Sequence, residues 1–215
     1  MEHDKPARGS ERRRVRSDAL ANQERVLAAA VTAVLREGRQ VPMGTIAADA
    51  GVGIGTLYRR YPNREALLEA LTLRSFRLVL ECAANAEHLN EPGLATLSSF
   101  LDCVISHADQ LVLPLLGGPI PTAAETLAVR SRVHQALQRI LDCGRRDGTI
   151  RADVTTRDIM VLGALLAQPL PHNPGPDQTQ TPRRLKAFFL DGLAPPLAER
   201  ALPGTKSRSL RDEDL

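Results

Sequence analysis

The side chains best able to do chemistry lie close together near the amino terminus, and the chemistry they suit is anion recognition. Within residues 43–68, Thr45, Thr56 and Tyr58 carry hydroxyls, while Arg59, Arg60 and Arg64 carry guanidinium groups. Such groups fit phosphate oxygens, and a guanidinium can also engage guanine O6 and N7 with two hydrogen bonds. Catalytic groupings are lacking. His3, His88, His107, His134 and His172 are scattered and do not pair with Cys82, Cys103 or Cys143 at metal-ligand spacing. No nucleophile elbow and no convincing acid/base pair occurs. Gly51, Gly53 and Gly55 suggest a nucleotide-binding loop, but the third glycine is one residue early for GxGxxG. A short Ala-rich helix pattern precedes them instead of a strand, and no βαβ unit surrounds them. The expectation is a binding protein rather than an enzyme, with no metal or other cofactor.

Two short helices joined by a tight turn must position this group. Pro42 suits the first position of a helix that Gly51 ends, Gly51-Val52-Gly53 makes the turn, and a second helix fits Gly53 to Tyr61 before Pro62 stops it. That is the requirement of a helix-turn-helix. Ile46, Ala47, Ala50, Val52 and Leu57 form its small core, and the alanines let the helices approach closely. Thr45, Ile54, Thr56, Tyr58, Arg59 and Arg60 are left outside. Upstream, Leu20, Leu27, Val31, Val34 and Leu35 recur at helical spacing from about Ser17 to Glu37, with Gly38 placed to end the helix. Downstream, Asn63 can cap a longer helix with Leu67, Leu68, Leu71, Leu78, Val79 and Cys82 along its buried stripe.

The rest of the chain reads as more helices. One follows Pro92, a short one spans Leu111 to Leu116, and a long one runs from about Ala123 to Arg146. Thr155 and Asp158 can form a capping box for a helix holding Ile159, Leu162, Leu165 and Leu166. Thr181-Pro182 opens a last helix with Leu185, Phe188, Phe189 and Leu193. Aromatic residues make up 3% and Trp is absent, so Ala, Leu and Val must build the core. Those residues favour helix-on-helix packing, and the fold class is all-α with about nine helices.

Charge divides the chain. Through Arg64, twelve Lys/Arg face seven Asp/Glu for +5, and the remainder carries sixteen against eighteen for −2. A basic head on a mildly acidic body suits a polyanion partner. Residues 1–17 form a basic arm expected to be disordered unless it meets DNA. Residues 18–64 are expected to form a DNA-binding head, 65–195 a helical body larger than dimerisation alone needs, and 196–215 a disordered tail. Residues 169–182, rich in Pro, Gly, Asn and Gln, read as a mobile loop. Three widely spaced cysteines without a CxxC pair are expected to be reduced and mostly buried. No apolar run reaches membrane-span length and the first thirty residues lack a secretory apolar segment, so a cytoplasmic location is expected.

The stretch from Ile46 to Leu68, IAADAGVGIGTLYRRYPNREALL, resembles the DNA-binding signature of the tetracycline-repressor (TetR) family. The resemblance covers about the first seventy residues and implies a homodimeric transcription regulator of double-stranded operator DNA, more often a repressor, released by a small-molecule effector. Carried over, Gly55 and Thr56 open the recognition helix. Thr56 and Tyr58 match phosphate-binding hydroxyls, Ile54, Arg59 and Arg60 fall at variable contact positions, and Arg64 replaces a phosphate-gripping Lys. Pro42 stands where a capping Thr often touches phosphate, and Gly53 replaces a capping Ser. For the effector, position and residue type suggest Phe76, Phe100, Cys103, His107, Leu113, Leu116, His134 and Met160. The last two helices would form a four-helix dimer interface using Leu162, Leu166, Phe188 and Phe189. The competing reading is a helical DNA-architectural or scaffold protein without effector control.

Overall fold

Helical spacing in the sequence becomes helix throughout the residues described by the computed structural model, 7–113, 120–168 and 180–195, with side chains described from Ala21 and, in the last stretch, from Thr181. The elements are α1 (Ala7–Glu37), α2 (Met43–Asp49), α3 (Ile54–Arg60), α4 (Arg64–His88), α5 (Gly93–Ser106), a single 3-10 turn (Ala108–Gln110), α6 (Ala124–Arg146), α7 (Thr156–Leu166) and α8 (Gln180–Leu193). The fold is all-α, with eight α-helices against the nine or so expected and no strand among the described residues.

Local chemistry sets most boundaries. Asn63 Oδ1 accepts the Ala66 N–H at 2.8 Å and so caps α4. The expected capping box opens α7: Thr155 Oγ1 accepts the Asp158 N–H at 3.3 Å, and Asp158 Oδ2 accepts the Thr155 N–H at 2.8 Å. Pro42 stands one residue earlier than expected, as the extended N-cap of α2 at φ −61° and ψ 140°.

Two segments depart from the sequence reading. The backbone is helical from Ala7, where a disordered arm was expected through residue 17. Ala, Arg and Glu are good helix formers, and a helix already nucleated by a packed segment extends at one hydrogen bond per residue. Leu111 to Leu113 do not form the expected short helix; Leu111 is extended, at φ −102° and ψ 121°. Pro114 disfavours helical geometry in the residue before it, and the buried Ser75 Oγ accepts the Val112 N–H at 2.8 Å. Residues 1–6 of the arm, Leu116, most of the proposed loop (169–179) and the 196–215 tail lie outside the described residues.

The chain divides into two compact units, Met1–Leu78 with His107–Arg130, and Val79–Ser106 with Ser131–Leu215. The first therefore extends past the 18–64 head, because Leu67, Leu68 and Leu71 of α4 are buried in the same core as Val26, Val31, Ile46 and Leu57. In the second unit, Leu97, Phe100 and Leu101 of α5, Leu137 and Ile140 of α6, and Ile159 of α7 are buried. Lys186 ties α8 to α5, with its Nζ 2.6 Å from Asp102 Oδ2 and 3.0 Å from Ser98 Oγ.

The start of α5 is clasped by the turn after α6. Asp147 Oδ2 accepts the Gly93 N–H at 2.7 Å, and Thr149 Oγ1 accepts the Leu94 N–H at 3.2 Å. Hydrogen bonds from the Thr149 side chain, then from the Gly93 N–H, hold the Asp147 carboxyl below the usual carboxylate range. Gly93 is obligatory here: a Cβ on it would stand 2.1 Å from Gly144 N.

The expectation of reduced thiols is overturned for two of the three cysteines. Cys82 on α4 and Cys103 on α5 form a disulfide with Cα atoms 5.5 Å apart, while Cys143 is free. The connection between α4 and α5 is only four residues long, so positions 21 apart in sequence meet across neighbouring helices, a proximity that spacing along the chain does not reveal.

Candidate DNA-binding surface

The surface is built on the joint between α2 and α3. Gly51 takes φ +65°, a left-handed conformation open to glycine, and this reverses the chain after α2. The Gly51 N–H then donates to Ala48 O and the Val52 N–H to Ala47 O, both at 3.0 Å, satisfying the last carbonyls of the helix. Neither α2 nor α3 has a side-chain cap, as Pro42 and Gly53 imply. The short helices are held by burial instead. Ile46, Ala47 and Leu57 are each 3% exposed or less, and Ala50 and Val52 pack against that core.

With those side chains inside, α3 turns a mixed apolar and cationic face outward. Ile54 and Tyr58 are each 45% exposed, a large exposure for apolar and aromatic side chains. Gly55, Arg59 and Arg60 are exposed, and Thr45 and Thr56 are half-buried. The first unit thus brings all eight candidate DNA-contacting residues together within one packed body. Arg64 is partly committed to the protein: its Nη1 donates to Gln40 Oε1 at 2.5 Å, and its Nε is buried without a hydrogen-bond partner. Arg60 likewise donates from Nη2 to Gln23 Oε1 on α1.

Sequence reasoning missed the residues that brace this face from behind. Tyr61, read only as the end of a helix, is 6% exposed and belongs to the head's core. Burial raises its phenol pKa above the ordinary value, with Arg60 and Gln23 acting in the opposite direction. Gln23 and Gln40 gave no signal, because an isolated glutamine on a polar helix face or in a loop looks like solvated surface.

The residues suggested for an effector are split between the units. Phe76 and Leu113 are buried and His107 half-buried in the first. In the second, Phe100 is 2% exposed, Met160 is half-buried, and His134 Nδ1 lies 3.1 Å from Thr156 Oγ1. Cys103 is committed to the disulfide, which removes its thiol. The suggested dimer face also needs correction. Leu162 and Leu166 are 6% and 3% exposed within the protomer, whereas Val161 and Leu165, one position earlier in each case, are 37% and 57% exposed. On α8, Leu185, Phe188 and Phe189 are 40%, 66% and 44% exposed.

Comparison with known proteins matches this architecture. The family model for bacterial regulatory proteins of the tetR family matches residues 26–71, and that for the C-terminal domain of SbtR-like transcriptional regulators matches residues 92–195. No curated protein sequence matches. Among solved structures, a TetR transcriptional regulator from Streptomyces coelicolor is 30% identical, with 80% of this chain and 98% of that one covered at a TM-score of 0.54. A TetR regulatory protein from Mycobacterium vanbaalenii is also 30% identical, covering 84% and 99% at a TM-score of 0.59. The regulator FadR from Bacillus subtilis, solved with stearoyl-CoA, shares the fold at 17% identity, covering 79% and 98% at a TM-score of 0.62. The helix-turn-helix, the all-helical remainder and the two family matches place the chain in the TetR family of DNA-binding bacterial transcriptional regulators.

Proposed function

We propose that this protein is a homodimeric repressor that binds a pseudo-palindromic operator through α3 and releases it when a small-molecule effector binds the helical body. The observation that carries the DNA half is the outward face of α3, where Ile54, Tyr58, Arg59 and Arg60 are exposed over a packed core. Thr56 and Tyr58 hydroxyls bind backbone phosphates, Arg59 and Arg60 meet phosphates or base edges, and Ile54 makes apolar contact in the groove. Thr45, Gly55 and Arg64 border the same surface. Two such heads, related by two-fold symmetry, would enter successive major grooves.

Dimerisation is assigned to α7 and α8. Val161 and Leu165 stand four residues apart on α7, and Leu185, Phe188 and Phe189 stand three and four apart on α8. Each set makes an apolar stripe exposed on the protomer. A second copy of the chain would cover both.

The effector is assigned to the second unit, where His134 and Met160 are half-buried candidates. FadR of Bacillus subtilis was solved with stearoyl-CoA, and the candidates here are mostly apolar, with no Asp, Glu, Lys or Arg among them, which favours an apolar or amphipathic molecule. The protein would act where the DNA is, in the cytoplasm; no helix among the described residues is long and apolar enough to cross a membrane.

The test has two steps. Selection from a random-sequence duplex library should yield a two-fold-symmetric operator. A screen of metabolites and lipophilic compounds should then find one that abolishes binding to it. Recovery of DNA without sequence preference would favour an architectural protein and overturn the proposal.

A further inference from the structure

Beside the recognition helix lies a cleft of about 290 Å³ shared by α1 and α3. Asn22 and Gln23 line it from α1, Thr56, Arg59 and Arg60 from α3, and Tyr61 contributes its aromatic body. Three of these, Thr56, Arg59 and Arg60, are residues of the outward face of α3. The other polar side chains belong to α1, which the sequence places in the DNA-binding head without singling out a contacting residue on it. Both α1 amides are held by guanidinium groups. Asn22 Oδ1 accepts from Arg25 Nη2 at 2.9 Å, and Gln23 Oε1 accepts from Arg60 Nη2. The Tyr61 hydroxyl is buried without a hydrogen-bond partner, beside the same Arg60.

We propose that this α1–α3 cleft seats a backbone phosphate of the operator, and that Gln23 is the positioning residue that holds the Arg60 guanidinium for it. The chemistry favours an anion because the cleft presents two guanidinium groups, two neutral amides and a hydroxyl, and no carboxylate. Gln23 is an apt holder. A neutral amide oxygen fixes one arm of the guanidinium without cancelling its charge, and the remaining N–H donors stay available for phosphate oxygens. A carboxylate in its place would hold Arg60 more strongly and neutralise it. Asn22 adds an amide donor from α1, so one phosphate would be gripped from two helices. The grip would also fix the angle at which α3 enters the groove.

The inference rests on α3 being the recognition helix, and the experiment separates the two claims. Full-length protein and the variants Gln23→Glu, Gln23→Ala and Thr56→Ala are titrated against an operator duplex selected by the wild-type protein, at several salt concentrations. Gln23→Glu is expected to lose about 10-fold in affinity and to flatten the salt dependence by about one phosphate contact. Gln23→Ala is expected to lose several-fold with a smaller change in slope, since Arg60 keeps its charge but not its position. A merely structural clip between α1 and α3 gives the opposite pattern for Gln23→Glu, with thermal stability kept or raised and operator affinity unchanged. If both Gln23 variants bind as wild type while Thr56→Ala is weakened, the phosphate seat is overturned and the recognition helix stands. If Thr56→Ala also binds as wild type, the recognition-helix reading fails, and the seat fails with it.

Discussion

Replacing Gly93 with Ala sets two effects of opposite sign against each other. By intrinsic propensity alone, alanine in a helix is more stable than glycine by roughly 0.5–1 kcal/mol, so the substitution should help α5. The packing opposes it. The new Cβ would stand 2.1 Å from Gly144 N and 2.2 Å from Gly144 Cα, both backbone atoms of α6, so no rotamer change can make room. The start of α5 must retreat, which strains the 2.7 Å hydrogen bond from the Gly93 N–H to Asp147. Overpacking of this kind costs about 1–3 kcal/mol or more, which outweighs the propensity gain. For a chain of this length each kcal/mol moves Tm by roughly 2–4 °C, so a fall of several degrees is expected. Gly192→Ala in α8 is the control, since a Cβ there meets nothing within 4 Å, and it should leave Tm unchanged or raise it slightly. Thermal unfolding followed by circular dichroism decides the matter. A Gly93→Ala protein as stable as wild type would refute the close approach of α5 to α6.

Three more outcomes follow from the second unit. Because Asp147 has its pKa depressed in the folded protein, it adds stability above the ordinary carboxylate range, and this is lost as pH falls through its folded pKa. Asp147→Asn should therefore flatten the acid side of a stability–pH curve, and an unchanged curve would contradict the assigned hydrogen bonds. Leu165→Asp should give a folded monomer by sedimentation, since Leu165 is 57% exposed on the protomer and covering it in a dimer would contribute roughly 1.5–3 kcal/mol per side chain. Leu166→Asp, with its side chain 3% exposed, should instead disrupt the protomer; an intact Leu165→Asp dimer would place the interface elsewhere. Reducing the Cys82–Cys103 bond, which joins residues 21 apart, should lower stability by about 3 kcal/mol, and equal denaturation midpoints with and without reductant would argue against it.

Much of this molecule can be read from local sequence because local physics decides it. Asn63 caps α4, Thr155 and Asp158 box α7, and the apolar spacing of Ile46, Ala47 and Leu57 leaves the α3 side chains outside. Each of these depends on residues within a few positions of one another. What escaped the reading depends on partners far along the chain. The disulfide joins two helices, Ser75 captures Val112 in place of a helix, and Gln23 meets Arg60 across 37 positions. Leu162 and Leu166, read as dimer contacts, are instead buried within the protomer, while Val161 and Leu165 one step around α7 are exposed. Leu162 and Leu165 share the same helical spacing, and only the packing decides which of them faces inward.

The central claim is that the exposed face of α3 reads operator DNA. The most direct measurement is the ratio of affinities for the selected operator and for a scrambled duplex at one salt concentration, for wild type, Thr56→Ala and Tyr58→Phe. Wild type should prefer its operator by about 10³-fold or more. Each variant should bind the operator more weakly while keeping its fold and dimeric state, because each removes one hydroxyl suited to phosphate. A wild-type protein without preference, or variants that bind the operator as tightly as wild type, would contradict the account.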